Sequence, residues 1–427
     1  MRIIKKLLVN REYKILSQNI LNLFLFQGTN YLLPLITIPY IVRVIGPEKF
    51  GILSFAEAVN YYFVLITDYG FNITGTQKIS IERESRDARN RIYSIVLSVK
   101  FYLLIFCLSA LFLFDMLWGL GMDARIYYLY FLIVPANILL SYWFYLGMEK
   151  MHYLNFPNLV SRILYLVLIF LFLKKADQYY FVPLFYGSSL MVGGLFSLFL
   201  LSTQFQFKWM KHSYREIIEY FRDGWSIFIS TFAINLYRKS NVFILGLVAT
   251  KEAVGFYSAG EKIIVALQAV FNPIIQAFYP FIARKRKESV KSALHHIKQL
   301  LLVVGSGTAI LAILFIFFSP QIATLLLGNS FGKTVIVLRV GGLVISLGVV
   351  NYIIGIIFMT NFDLKNQFSK SVIITGLTNV LVCFILSYFW EVTGAATAFI
   401  FAEFFLLCIM LVFIWRNGHL WKLKNEF

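Results

Sequence analysis

The chain has 427 residues, of which 59% are hydrophobic and only 14% charged, with a formal net charge of +18. Soluble domains carry about 25% charged residues, so this composition excludes a soluble globular protein. The basic excess sits in short clusters between apolar runs, a pattern that follows membrane topology and anionic lipid headgroups and argues against a nucleic-acid partner.

A helix needs about 20 apolar residues to cross the hydrocarbon core. On that basis the sequence predicts an all-α polytopic membrane protein with twelve transmembrane helices, in chain order 15–41, 50–77, 92–114, 126–147, 157–173, 180–202, 223–247, 254–282, 299–318, 334–360, 371–389 and 394–415. Asn19, Asn22 and Asn30 make the first of these too polar for a cleaved signal peptide. The intervening loops are short, which leaves no room for a separate soluble domain. The loops on the side shared by both termini hold 27 Lys and Arg, and the opposite loops hold seven. The positive-inside rule therefore places both termini in the cytoplasm.

Residues 48–57 read EKFGILSFAE and residues 252–261 read EAVGFYSAGE. Four identities at a constant offset of 204 residues align Glu48 with Glu252, Gly51 with Gly255, Ser54 with Ser258 and Glu57 with Glu261. The same offset maps the basic loop at 78–91 onto that at 284–298, and the second, third and fourth crossings onto the eighth, ninth and tenth. Two pseudo-symmetric six-helix bundles of the same orientation are expected, 1–202 and 223–427, joined by a cytoplasmic linker at 203–222. Parallel repeats of this kind place a substrate path near the bilayer midplane.

A helical wheel puts Glu57, Asn60, Tyr61, Asp68 and Asn72 within about 60° of one line, and Glu261, Gln268, Asn272 and Gln276 do the same in the eighth crossing. The first crossing aligns Asn19, Asn22, Asn30 and Thr37, and the seventh aligns Thr231, Asn235, Arg238 and Lys239. Polar groups facing lipid each cost about 2 kcal/mol or more, so such stripes are expected to face protein or water. Asn, Gln and Thr serve as interhelical glue as often as they line a cavity. The buried charges Glu57, Asp68, Glu261, Arg238 and Lys239 favour a hydrated cavity, whereas Lys100, Lys262 and Arg339 lie nearer span ends, where interfacial anchoring weighs at least as much as a cavity role.

Catalytic signatures are missing from the sequence. Cys107, Cys383 and Cys408 lie inside crossings without CxxC spacing, and the five histidines show no metal-ligand spacing. The stretch from Gly328 to Thr334 has three residues between its glycines where a phosphate-binding loop needs four. Neither an enzyme nor a metal or cofactor site is expected.

The stretch IGPEKFGILSFAEAVNYYFVLITDYGFNITGTQKIS, Ile45 to Ser80, and the stretch GFYSAGEKIIVALQAVFNPIIQAFYPFIAR, Gly255 to Arg284, resemble the signature of the Wzx-type polysaccharide flippases of the multidrug/oligosaccharidyl-lipid/polysaccharide exporter superfamily. The resemblance covers nearly the whole chain, including its length, twelve spans and two-fold repeat. It implies translocation of an undecaprenyl-diphosphate-linked oligosaccharide across the bacterial inner membrane by alternating access, for O-antigen-type surface polysaccharide. It implies a lipid-linked glycan and membrane lipids as partners, with a polysaccharide polymerase and a chain-length regulator alongside. The adjacent pair Arg238 and Lys239 departs from the family pattern, in which uncharged residues are as common there.

Buried cations suit a diphosphate, which makes Arg238 and Lys239 candidates for that group. Glu57, Asp68 and Glu261 then bind sugar hydroxyls, pair with the cations, or carry protons. With no ATP motif, the energy is expected from an H⁺ or Na⁺ gradient or from consumption of the flipped lipid. The alternative is a cation-coupled small-molecule or multidrug exporter of the same superfamily, for which a more acidic cavity is expected. A membrane-embedded polymerase needs a large outer loop with catalytic arginines, and the outer loops here are too short.

Overall fold

The computed structural model of the protein describes residues 11–119, 121–150 and 152–417, with side chains from Pro34 onward except at a few positions that include Arg238. Among the described residues every regular element is helical. In lipid this is obligatory for an open chain, because each backbone amide and carbonyl needs a partner within its own segment.

The helices are α1 (Arg11–Asp68), α2 (Phe71–Ile81), α3 (Arg86–Trp118), α4 (Ala124–Phe131), α5 (Ile133–Leu140), α6 (Tyr142–Gly147), α7 (His152–Phe172) and α8 (Phe181–Gln204). They are followed by α9 (Tyr214–Val248), α10 (Lys251–Ala269), α11 (Asn272–Glu288), α12 (Val290–Leu300), α13 (Ser306–Phe317), α14 (Ser319–Leu327), α15 (Thr334–Tyr352) and α16 (Lys365–Arg416). Nine helical runs among the described residues are long and apolar enough to cross a membrane. Two of the long helices hold two crossings each, since α1 breaks at Gly46 (φ 77°) and α16 at Glu391 (φ 44°). With the more polar α9, the helices account for the twelve predicted crossings.

Several crossings are interrupted. The fourth consists of α4, α5 and α6, with Ser141 at φ 51° between the last two. The ninth contains a π-helical turn at Leu301–Gly305, and the tenth continues from α15 into a π-helical segment, Ile353–Met359. Such segments insert an extra residue into the ladder and are frequent at functional positions.

The contacts divide the chain into two compact units, residues 44–235 and residues 1–43 with 236–427. In the first unit α8 packs along α5 and α7, and α2 packs on α6. Its core gathers Tyr93, Trp143, Phe144 and Tyr145, with Tyr93 stacked on Trp143 at 5.4 Å. In the second unit α15 is central, in contact with α10, α13 and α16. The α10–α15 approach requires Gly341, where a Cβ would lie 2.0 Å from Cδ1 of Ile264. The side chain of Arg43 donates to the carbonyl of Leu325 on α14 and anchors the end of the first crossing within this unit. Outward faces stay apolar, as on α3, where Phe101, Phe106 and Phe112 are exposed.

The predicted linker at 203–222 is only partly a loop, since α9 begins at Tyr214. It is tied to the rest of the first unit. Arg86 donates to the Gln206 carbonyl at 2.9 Å, and the Met210 amide donates to Ser94 Oγ at 2.9 Å. Lys78 pairs with Asp223 at 2.8 Å and lies 3.9 Å from the Tyr220 ring. Before its crossing begins, Glu216 pairs with Arg91 at 2.8 Å, and this hydrogen bond, with that from the Ser213 amide, holds its carboxyl down to about 2.

Candidate functional site

The polar stripe predicted on the second crossing splits into two environments. Asp68 is the last residue of α1, before a break made by Tyr69 (φ 49°) and Gly70 (φ 80°). Lys100, on α3, places its Nζ 3.0 Å from Asp68 Oδ1, with side-chain exposures of 5% and 18%. Asn72, on the far side of the break, donates to Asp68 Oδ2 at 2.9 Å. One carboxylate thus ties together both flanks of the break and a neighbouring helix.

These groups line a cavity of about 180 Å³ in the first unit, with Tyr61, Asn137 and Tyr142 also on its wall. Tyr61 donates to Asn235 Oδ1 at 2.6 Å, and Asn235 itself donates to the Thr231 carbonyl at 2.8 Å. A cavity lined by a carboxylate, an ammonium, two phenols and two amides can hydrogen-bond polar ligands or water. Lys100, for which the sequence leaves both anchoring and a cavity role open, is only 4% exposed and belongs to this wall.

Asn60 turns away from the cavity. It is fully buried and donates to the carbonyls of Ala56 at 2.9 Å and Tyr127 at 3.2 Å, which makes it a clamp between α1 and α4. Glu57 is half-buried and within electrostatic reach of the Tyr130 and Tyr165 hydroxyls. Asn30 lies on helix α1, but its side chain is outside the described residues, as is that of Arg238. Lys239 is exposed.

In the second unit Glu261 is 9% exposed. It accepts from the Tyr257 hydroxyl at 3.3 Å, which accepts from Asn241 Nδ2 at 3.1 Å; Asn241 Oδ1 accepts from Asn379 Nδ2 at 2.9 Å. A hydrogen-bonded chain thus runs from α10 through α9 to α16. Gln268 donates to the Val344 carbonyl at 2.8 Å, and Asn272 starts α11 half-buried. The sequence reading missed Asn241, Asn351, Asn379 and Glu403. Glu403 had a usable signal, being the single charged residue in the crossing at 394–415. The asparagines had none, because their partners sit 52 and 138 residues away.

Twelve helical crossings, several of them broken and carrying buried charges on helix faces, define a membrane protein of transporter architecture. Solved structures of similar fold include the lipid II flippase MurJ in an inward closed conformation, with a TM-score of 0.74 and 13% identity over 92% of this chain and 87% of that one. An inward-facing multidrug resistance MATE family transporter of the MOP superfamily gives 0.72 and 13%, over 94% and 96%. At these identities the fold is what is shared.

In sequence, residues 16–286 match the family described as "Polysaccharide biosynthesis protein". The chain is also 30% identical over 411 residues to the Escherichia coli (strain K12) protein named "Putative O-antigen transporter", covering 94% of this chain and 97% of that protein. The chain belongs to this polysaccharide biosynthesis protein family.

Proposed function

We propose that the protein is a flippase that moves a lipid-linked oligosaccharide across the bacterial inner membrane for O-antigen-type polysaccharide. The observation that carries this reading is the 30% identity along 94% of the chain to the Escherichia coli (strain K12) relative, whose name gives it O-antigen as cargo. The fold shared with a lipid II flippase and the polar cavity at Asp68 and Lys100 support it. The undecaprenyl-diphosphate carrier, both termini in the cytoplasm, and association with a polymerase and a chain-length regulator extend the same proposal. So does division into repeat halves 1–202 and 223–427. The protein acts as a transporter and not as an enzyme.

In this reading a sugar chain needs hydroxyl and amide partners, and a diphosphate needs cations. Arg238 and Lys239 on α9 are assigned to the diphosphate. Asp68, Asn72, Asn235, Glu57, Glu261, Gln268 and Asn272 are assigned to sugar hydroxyls or to coupling. A charge at the middle of a crossing costs about 2.5–3.5 kcal/mol to insert, so a cation kept there without function is a poor bargain.

The test is surface polysaccharide in a flippase-null strain complemented at matched protein levels. Arg238→Ala with Lys239→Ala is expected to leave folded protein in the membrane and abolish polysaccharide export. Full complementation by this double variant would remove both residues from the substrate site. Failure of the unaltered protein to complement strains lacking flippases for several glycans would remove the flippase reading itself.

A further inference from the structure

Glu403 has no part in the site described above. It lies in the second half of α16 and is 8% exposed. Asn351, the next-to-last residue of α15, is 5% exposed and places its Nδ2 2.7 Å from Glu403 Oε2 and 2.9 Å from the Glu403 carbonyl. Its own Oδ1 is buried and accepts no hydrogen bond from the described residues. An amide oxygen left without a donor in such a place is desolvated without compensation.

A third polar group reaches the same point. A Cβ on Gly348 would stand 2.3 Å from Gln268 Nε2 and 3.6 Å from Glu403 Oε1. The glycine therefore keeps open a gap on α15 into which the amide of α10 and the carboxyl of α16 both project. One residue beyond Asn351, after Tyr352, the chain passes into the π-helical segment Ile353–Met359. The backbone that carries the amide is thus at a register change and not in a uniform α-helical ladder.

We propose that Glu403, Asn351 and Gln268 form a proton-binding site inside the second unit. The step is a single proton transfer. The ionised carboxylate accepts from Asn351 Nδ2. When it takes a proton from water, the amide rotates about its terminal torsion and gives up its Nδ2 bonds to Oε2 and to the Glu403 carbonyl, and the new O–H donates to Asn351 Oδ1, so that the unfilled acceptor is filled. No bond other than O–H forms or breaks. Because Asn351 adjoins the π-helical segment, the two amide orientations tie the proton to the backbone of the tenth crossing.

Other charged and titratable groups on the packed elements are Lys251, Glu252, Tyr257, Glu261 and Lys262 on α10, Arg339 and Tyr352 on α15, and Cys408 farther along α16 itself. Arg238 and Lys239 lie on α9, and the segment 353–359 carries none. Of these, Glu261 already accepts from Tyr257, and Arg339 is exposed.

The test is infrared difference spectroscopy of the full-length protein in liposomes, between alkaline and acidic buffer. A carboxylic-acid C=O band is expected on acidification, lost in Glu403→Gln and moved in Asn351→Leu, whose side chain offers no acceptor. Gly348→Ala pushes the flexible end of Gln268 out of the gap and leaves the acid and Asn351 in place, so it is expected to shift the band without removing it. Identical carboxyl bands in the unaltered protein and Glu403→Gln would overturn the proposal. If Glu403→Gln does not fold, an unmoved band in both Gly348→Ala and Asn351→Leu would overturn it equally.

A role for this proton in coupling rests on the transport function proposed above. A Glu403-dependent band in a protein that restores no polysaccharide keeps the proton site and removes the transport reading. Restored polysaccharide without such a band does the reverse.

Discussion

The broken helices of the two units, 47–81 and 251–288, share a plan and differ in chemistry. Both break at nearly the same repeat position, after Asp68 in one and after Ala269 in the other. In the first, the break uses left-handed backbone at Tyr69 and Gly70, φ 49° and 80°. In the second, Val270 and Phe271 stay at φ −59° and −85°. The first break carries an ion pair, Asp68 with Lys100, at 3.0 Å. The repeat equivalents of these two residues are Asn272 and Val304, so the second has no such pair.

The glutamates differ in the opposite sense. Glu261 is buried and receives the Tyr257 hydroxyl one turn back, where the first unit has Leu53 one turn before Glu57. The repeat thus keeps nearly the same break points while each copy sets its acids next to different partners. Buried charge in a membrane persists only where a partner satisfies it, so the partner, more than the acid, distinguishes the two units.

The ion pair supports the largest expected effect. Lys100→Met strands the Asp68 carboxylate, 18% exposed, beside an empty ammonium site. Breaking a buried pair from one side costs about 3–5 kcal/mol, whereas removing both partners costs much less. Lys100→Met is therefore expected to lower the thermal midpoint strongly, and Asp68→Asn with Lys100→Met to recover most of it. Val304→Met, its repeat equivalent, is expected to change little. Equal losses from the single and double variants of the first unit would show that the pair is not what separates the two breaks.

Hydropathy carried the architecture because the bilayer filters length and polarity one segment at a time. All twelve crossings were legible for that reason. The interruptions were not. The left-handed Tyr69 is held by packing, stacked on Phe228 at 4.9 Å and edge-on to Phe221 at 5.1 Å, residues far away in the chain. Lys100 reads as an anchor as readily as a cavity residue because its partner Asp68 is 32 residues distant, and only tertiary pairing makes its burial tolerable. The wheel placed Asp68 and Asn72 on one face, and both do line one cavity. It also placed Asn60 there, yet that amide is spent on the Tyr127 carbonyl. Angular position on one helix does not say which neighbour comes close enough to claim a side chain.

The backbone difference supports an intermediate effect. At Gly70 a Cβ would lie 2.7 Å from Cγ2 of Ile227 and would also sit in the left-handed region. The conformation alone costs about 1–2 kcal/mol for a residue with a Cβ, and the crowding adds to it. Gly70→Ala is expected to lower the thermal midpoint clearly. Val270→Ala, at the second break, is expected to have no backbone cost because its φ is already right-handed. If the two substitutions prove equivalent, the breaks are mechanically alike and the contrast between them is chemical only.

The smallest expected effect concerns the partner that the second unit has and the first lacks. The Tyr257 hydroxyl is both donor, to Glu261 at 3.3 Å, and acceptor, from Asn241 at 3.1 Å. Tyr257→Phe deletes it without changing the ring, and leaves Asn241 still bonded to Asn379 through its Oδ1. The loss is then that of interrupted hydrogen bonds in a buried chain, about 1–2 kcal/mol. Leu53→Phe, which places the same ring beside Glu57, removes no polar contact, so any cost there comes from overpacking. If the chain from Asn379 to Glu261 acts as one unit, Tyr257→Phe and Asn379→Leu combined should cost less than their sum, because either alone interrupts it. A double-variant cycle on thermal stability measures this. Strict additivity would mean that the Tyr257–Glu261 contact is energetically independent of Asn241 and Asn379, and that the chain adds nothing to what a tyrosine one turn away already gives the second unit's acid.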